Sequence, residues 1–465
     1  MRIERDTLGE VQVPDDALYG AQTQRAVENY PISGLREHPV FIRSFVFLKK
    51  AAALANRELL AMKGDIAEAI VRGCDQILHH EAKLCDQFVV DVFQAGAGTS
   101  FNMNCNEVIA NLANVSLGGK LGEYKPVHPN DHVNMSQSTN DVFPTAIRIA
   151  TLMLLGELVP ELDALASAFH AKGDEFEDVI KSGRTHLQDA VPVTLGQEFH
   201  AYGAAVARAT RLLRDSAGEL RVLGIGGTAT GTGINSPVGY RFTVVKYLRE
   251  MTRLDLDSAD DLREAMQSQL PVVAVSAAMR NLALELTRIT NDLRLLASGP
   301  HTGLAEIILP AVQPGSSIMP GKVNPSILEA MNQLLFHIIG ADTAIAYASQ
   351  AGQLDLNVMM PLMAFEITFS IDILKNYVPV FIEKCIRGIA ADRKRCEQYY
   401  INSPSLATAL NPIIGYARAA EIAKESAKSG TPIPQLLREK KILSEDEIAR
   451  IFTPEFLAGQ ADRTT

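Results

Sequence analysis

A chain of 465 residues, 47% apolar and 21% charged, can bury a large core and is not an intrinsically disordered protein. Its formal net charge of −10 excludes the broad basic face that nucleic-acid binding requires. Five scattered cysteines without C-x-x-C spacing exclude a disulfide framework and fit a reducing, cytoplasmic setting.

The opening Met1-Arg2-Ile3-Glu4-Arg5-Asp6 is charged and holds no apolar run, so no secretory signal is expected. Residues 1–40 read as irregular, with a short hairpin over 8–14 and Gly9 near its turn. From Phe41 the apolar residues Phe45, Leu48, Ala52 and Leu59 fall near helical spacing. Further helices are expected over 65–85 and 103–115, then a loop rich in Gly, Pro, Asn and Ser over 118–140. A long helix should begin near Pro144 and kink at Pro160, and another should cover 193–220. The clearest covers 271–298. There Val275, Met279, Leu282, Leu286, Ile289, Leu293 and Leu296 recur in steps of four and three, the seam of helices packed side by side. Gly299-Pro300 ends it.

Helices over 325–350 and 356–386 are apolar on more than one face, as central bundle helices are. Residues such as His337 and Asp342 interrupt the most apolar segments, so no membrane span is expected. Beyond Cys396 the segments are short and polar. Ser444-Glu445-Asp446-Glu447 is a capping box, and residues 461–465 read as a frayed tail.

Four polar loops open helices. Gly315-Ser316-Ser317-Ile318-Met319-Pro320-Gly321-Lys322-Val323-Asn324-Pro325 carries one cation and ends at a helix start, with Asn324 as expected cap and Pro325 at the first position. Orphan N–H groups and the helix dipole there suit an anion. Gly96-Ala97-Gly98-Thr99-Ser100, Ser136-Gln137-Ser138-Thr139-Asn140-Asp141 and Gly183-Arg184-Thr185-His186-Leu187-Gln188-Asp189 supply hydroxyls, amides and an imidazole. Each alone is explained by capping. Jointly they carry more donors than capping needs, which favours a site for a small dianion. The glycines over 224–233 are followed by no Gly-Lys-Ser/Thr and lie in no βαβ unit, so no nucleotide cofactor is expected. His128 and His132 have Pro129 between them and no third ligand, so no metal is expected.

Together these loops resemble the aspartase/fumarase superfamily of lyases, whose signature loop matches residues 315–325, and the resemblance spans nearly the whole chain. It implies a mainly α, three-domain fold with a central long-helix bundle. With the chain's texture, this places an N-terminal mostly helical domain at 1–141, the bundle at 142–396 and a small C-terminal helical domain at 397–465. It also implies a small-molecule substrate and a homotetramer whose active sites are shared between subunits. Asp86-Gln87-Phe88, Gln137-Ser138-Thr139-Asn140, Thr185-His186-Leu187-Gln188-Asp189-Ala190-Val191-Pro192 and Ala351-Gly352-Gln353-Leu354-Asp355-Leu356-Asn357-Val358 resemble the aspartate ammonia-lyases more than the class II fumarases. His301-Thr302 and Met360 depart from the pattern, where relatives usually carry Arg with a small residue, and Glu.

The implied reaction is reversible deamination of L-aspartate to fumarate and ammonia. By the same resemblance Ser316 is the general base; Lys322, Asn324 and Thr185 hold the α-carboxylate; and Thr99, Ser138, Thr139 and Ser317 hold the β-carboxylate. Asn140 and His186 orient the amino group. Three alternatives stay open: a class II fumarase adding water to the same double bond, a lyase for a larger succinyl-amine, and a non-catalytic relative.

Overall fold

The computed structural model of the chain describes residues 1–458. Helices dominate, and each of the paired sheets found among the described residues has only two strands. The chain divides into two compact units. The first comprises Met1–Val159, Arg211–Ala283 and Phe336–Lys375; the second comprises Pro160–Thr210, Leu284–Leu335 and the chain from Asn376 onward.

The first unit opens with an antiparallel hairpin, β1 (Arg2–Asp6) and β2 (Gly9–Val13), paired so that Asp6 faces Gly9. The first strand therefore starts well before the residue 8 expected from sequence. Helices α1 (Pro39–Glu58), α2 (Gly64–His79) and α3 (Thr99–Ser116) follow, then α4 (Thr139–Glu175). Phe41 and Phe45 of α1, Phe101 of α3 and Phe143 of α4 are fully buried, with several ring centroids 5.1–5.7 Å apart. Such aromatic contacts add to the area they bury.

Helix α3 is buried from Phe101 to Asn114, polar residues included. Those polar groups stitch loops to it. Asn114 exchanges two hydrogen bonds with the Val127 backbone, Asn111 donates to the Leu18 carbonyl, and Glu107 accepts from the Gly20, Gln22 and Thr23 N–H groups. Buried amides are tolerable where they are so satisfied, as in Asn111 and Asn114.

Helix α4 starts at Thr139, five residues before the expected Pro144, and runs through Pro160 without interruption. In the second unit the expected helix over 193–220 begins later. A second antiparallel hairpin, β3 (Ile180–Thr185) and β4 (Gln188–Thr194), occupies its start, and α5 (Leu195–Ser216) follows. Helix α6 (Leu270–Leu296) buries every residue of its heptad seam. Helices α7 (Ser326–Gln350) and α8 (Met360–Lys384) come next. Met360, one of the departures, is fully buried at the first position of α8. An apolar side chain fits that interior, where a carboxylate would need a partner.

The C-terminal helices α9 (Tyr416–Ser429), α10 (Ile433–Glu439) and α11 (Glu445–Ile451) share a core of Leu406, Leu410, Ile422, Ile433, Leu437, Ile448 and Ile451. Both hydrogen bonds of the Ser444–Glu447 capping box are present. The expected tail at 461–465 lies outside the described residues.

Helices α4 and α6 are long and apolar enough to cross a membrane by length and composition; 72% of the apolar window of α4 is buried inside the protein and 44% of that of α6. All five cysteines are free. Cys74, Cys105, Cys385 and Cys396 are buried and Cys85 is half-buried.

Candidate functional site

In the second unit the 315–325 loop closes on itself. The Gly315 N–H donates to the Lys322 carbonyl at 2.9 Å, and the Asn324 amide donates to the Gly315 carbonyl at 2.6 Å. A Cβ at Gly315 would lie 2.5 Å from that Lys322 oxygen, so only glycine permits the closure. Asn324 thus serves the loop rather than capping α7 as expected, and the helix starts one residue beyond Pro325. Inside the loop the Ser316 hydroxyl oxygen accepts the Ile318 N–H at 3.2 Å and the Met319 N–H at 3.0 Å. Two converging N–H groups form a small nest that stabilises negative charge on that oxygen. Ser317 and Lys322 are exposed on the same loop.

The β3–β4 hairpin carries Thr185 and His186 to its exposed tip. Thr185 pairs with Gln188, leaving His186 and Leu187 as a two-residue loop with φ of 56° and 57°. That geometry favours Asn-Gly; two ordinary L-residues hold it at a conformational cost. The base of β3 is fixed by charge. Arg184 and Lys181 lie 2.8 and 3.3 Å from the fully buried Glu306 carboxylate, and Lys181 also meets Glu198 at 2.8 Å. Burial raises the Glu198 pKa, opposed by Lys181.

Thr99, Ser138, Thr139 and Asn140 lie in the first unit. Ala97 and Gly98 take positive φ just before Thr99 starts α3, and a Cβ on Gly98 would strike the Phe143 ring at 2.1 Å. At the start of α4 the Ser138 hydroxyl accepts the Asn140 N–H at 3.3 Å, and the Ser138 N–H donates to the Asp141 carboxylate at 2.9 Å. Thr139 accepts from the Asn102 amide at 3.0 Å, and Asn102 lies one turn beyond Thr99 on α3. The Asn140 amide donates to the Ala229 carbonyl at 2.8 Å.

Two buried charges behind these residues escaped the sequence reading. Asp141 accepts the Gly226 and Thr228 N–H groups at 3.0 and 2.9 Å, which gives the glycine-rich 224–233 loop its purpose: its backbone wraps a carboxylate of the chain itself. Burial pushes the Asp141 pKa up to about 7 against those two backbone donors and the Ser138 N–H. Lys49, fully buried, donates to Asn102, Asn134 and Gln137 at 2.7, 3.0 and 3.0 Å, and burial lowers its pKa to about 8. A lysine amid the apolar run of α1 was the available signal for it. His128 and His132 spend their Nδ1 atoms on local backbone N–H groups, and no group of three His, Cys, Asp or Glu converges among the described residues. His301, the other departure, is exposed.

Two family models match the chain: "Lyase" over residues 9–340 and "Fumarase C C-terminus" over 406–459. The chain is 48% identical to aspartate ammonia-lyase of Bacillus subtilis over 97% of its length and 95% of that protein. It is 45% identical to aspartate ammonia-lyase of Escherichia coli K12, covering 99% of the chain and 97% of the relative. Among solved structures, a fumarate lyase:delta crystallin from Brucella melitensis superposes with a TM-score of 0.93 at 47% identity, covering 97% and 98% of the two chains. A class II fumarase from Schistosoma mansoni gives the same TM-score at 33% identity, covering 98% and 99%. The backbone is therefore shared with a class II fumarase even at 33% identity.

Proposed function

The chain belongs to the aspartase/fumarase superfamily of lyases, and on that premise we propose that it is an aspartate ammonia-lyase with Ser316 as general base. The observation that carries the base assignment is the pair of N–H groups, from Ile318 and Met319, on the Ser316 oxygen. A serine hydroxyl is a poor base in water. N–H donors on its oxygen, with the Lys322 cation on the same loop, lower the energy of the alkoxide.

Ser316 takes a proton from the substrate Cβ. The electron pair spreads into the β-carboxylate as an aci-carboxylate, the Cα–N bond breaks, and ammonia leaves with fumarate formed. Thr99, Ser138, Thr139 and Ser317 donate to the β-carboxylate, where charge grows. Lys322, Asn324 and Thr185 anchor the α-carboxylate, whose charge is unchanged. Thr139 is well prepared, because its oxygen already accepts from Asn102 and its own proton is free for the carboxylate. The Asn140 side-chain amide donates to Ala229, which leaves its Oδ1 free to accept from the substrate ammonium alongside His186. The site draws on several chains of a homotetramer in the cytoplasm. Exposed apolar residues on the long helices, among them Leu284, Leu295, Phe336, Tyr347 and Phe369, support that assembly.

The test follows fumarate by its ultraviolet absorbance with L-aspartate or L-malate. Fumarate from aspartate but not malate is expected, and product from malate alone would move the chain to the fumarases. Ser316→Ala should lower kcat by about 10²–10⁴-fold; turnover near the parent rate would remove Ser316 from the base role.

A further inference from the structure

Away from the loops described above, two histidines of the second unit meet ring to ring. His170 of α4 and His200 of α5 bring their Nδ1 atoms to 3.1 Å, with ring centroids 5.4 Å apart and planes tilted by 35°. Each ring rests on a glycine of the opposite helix. A Cβ on Gly173 would lie 2.7 Å from the His200 ring, and one on Gly203 would lie 2.8 Å from His170 Nε2. The seats are reciprocal, and they let the helices approach closely enough for the two nitrogens to converge. On its far side His200 Nε2 faces the Asp174 carboxylate at 3.3 Å. A carboxylate on that side favours the tautomer with its proton on Nε2 and a lone pair on Nδ1, and metal-binding imidazoles commonly have such an outer partner. Without an ion, His170 Nδ1–H donates to that lone pair.

We infer that His170 and His200 form a two-imidazole site for a borderline divalent transition ion of the Zn²⁺, Ni²⁺ or Cu²⁺ kind, with water completing its shell. Two nitrogens each about 2.0–2.1 Å from one tetrahedral ion stand roughly 3.3–3.4 Å apart, so the nitrogens already have nearly the spacing required, and each ring turns by roughly 35° from the N···N line to aim its lone pair at the ion. On binding, His170 moves its proton from Nδ1 to Nε2 through solvent, a tautomer change that by itself releases no net proton. The His200 side chain is 41% exposed, so the ion enters from solvent. Asp174 contacts the opposite nitrogen and is not a third ligand, so the ion remains exchangeable. It ties α4 to α5, so it stabilises the folded chain.

The test uses the full chain stripped with a chelator and reads the bound ion itself, so failure of this site is distinguished from failure of the proposed lyase function. Calorimetric titration should give one Zn²⁺ per chain and a raised Tm, with no response to Mg²⁺. The Cu²⁺-loaded protein should show two nitrogen couplings in its electron paramagnetic resonance spectrum. His170→Ala and His200→Ala should each lose the ion while keeping native circular dichroism and fumarate formation. Asp174→Asn should bind about 10–100-fold more weakly. If either alanine variant misfolds, His200→Gln fills the glycine seat and must also lose the ion. Unchanged stoichiometry in the His variants, a spectrum without paired nitrogens, or no Zn²⁺ uptake by the parent would overturn the site.

Discussion

A hydroxyl has one proton to give, and in Thr139 a neighbour decides where it points. Asn102 fills the acceptor side, and Lys49 holds Asn102 in turn, so a buried ammonium two hydrogen bonds away sets the polarity of a proposed substrate-facing oxygen. All three hydrogen-bond acceptors of Lys49 are amide oxygens, which is why burial can lower its pKa so far. Glu37 shows the same physics in the opposite sense. It is buried with one carboxylate oxygen unpartnered, and burial, with Asp91 nearby, raises its pKa to about 8. A carboxyl raised in the folded state contributes its stability fully below its unfolded pKa near 4.5, and that stability is lost as pH rises through 8. Glu37→Gln, which cannot ionise, should therefore gain on the parent by about 1.4 kcal/mol per pH unit across that window and level off above it. Urea unfolding at fixed protein concentration and several pH values would measure this; parallel profiles would mean that Glu37 ionises freely.

The β3–β4 hairpin shows how an element can hide from a sequence reading. Its strands contain Gly183 and Pro192, and its tip is His186-Leu187 where a two-residue loop would normally announce itself with Asn-Gly. The segment therefore read as a loop before a helix. Backbone strain held at a proposed substrate-contacting tip is a departure from local preference that a functional position explains. Leu187→Gly should relieve it and raise the urea midpoint, because a strain of about 1–3 kcal/mol outweighs the roughly 0.4–1 kcal/mol by which glycine loosens the unfolded chain. The side chain is 71% exposed and has little packing to lose. A lowered midpoint would show that Leu187 packs against something beyond its own hairpin. By contrast, the seam of α6 was legible residue by residue, because a period near 3.5 has no competing explanation. The glycines over 224–233 were legible as a loop but not as a clamp. Their partner, Asp141, lies more than eighty positions earlier, and nothing local announces a carboxylate that accepts backbone N–H groups.

At the scale of the molecule, long-helix side chains that would be core in most proteins face outward. Phe336 of α7 is 56% exposed. In the proposed tetramer this surface packs against other subunits, and a site shared between chains fails when they part. Phe336→Glu should shift the sedimentation profile to smaller species and lower activity in step. A variant that stays tetrameric and active would place Phe336 outside the subunit contacts.

The unpaired cysteines have a practical consequence. Burial holds the Cys105, Cys385 and Cys396 thiols near pKa 12 and raises Cys74 as well, so these four stay protonated and out of reach. Cys85 is the one partly accessible thiol, and its pKa of about 11 makes it slow rather than inert. A maleimide fluorophore added near pH 8 to the native protein should thus attach at a single address, whereas all five sulfurs should react in guanidinium. The chain comes with a ready-made position for a dye, at which subunit exchange could be followed by energy transfer without first engineering any cysteine away.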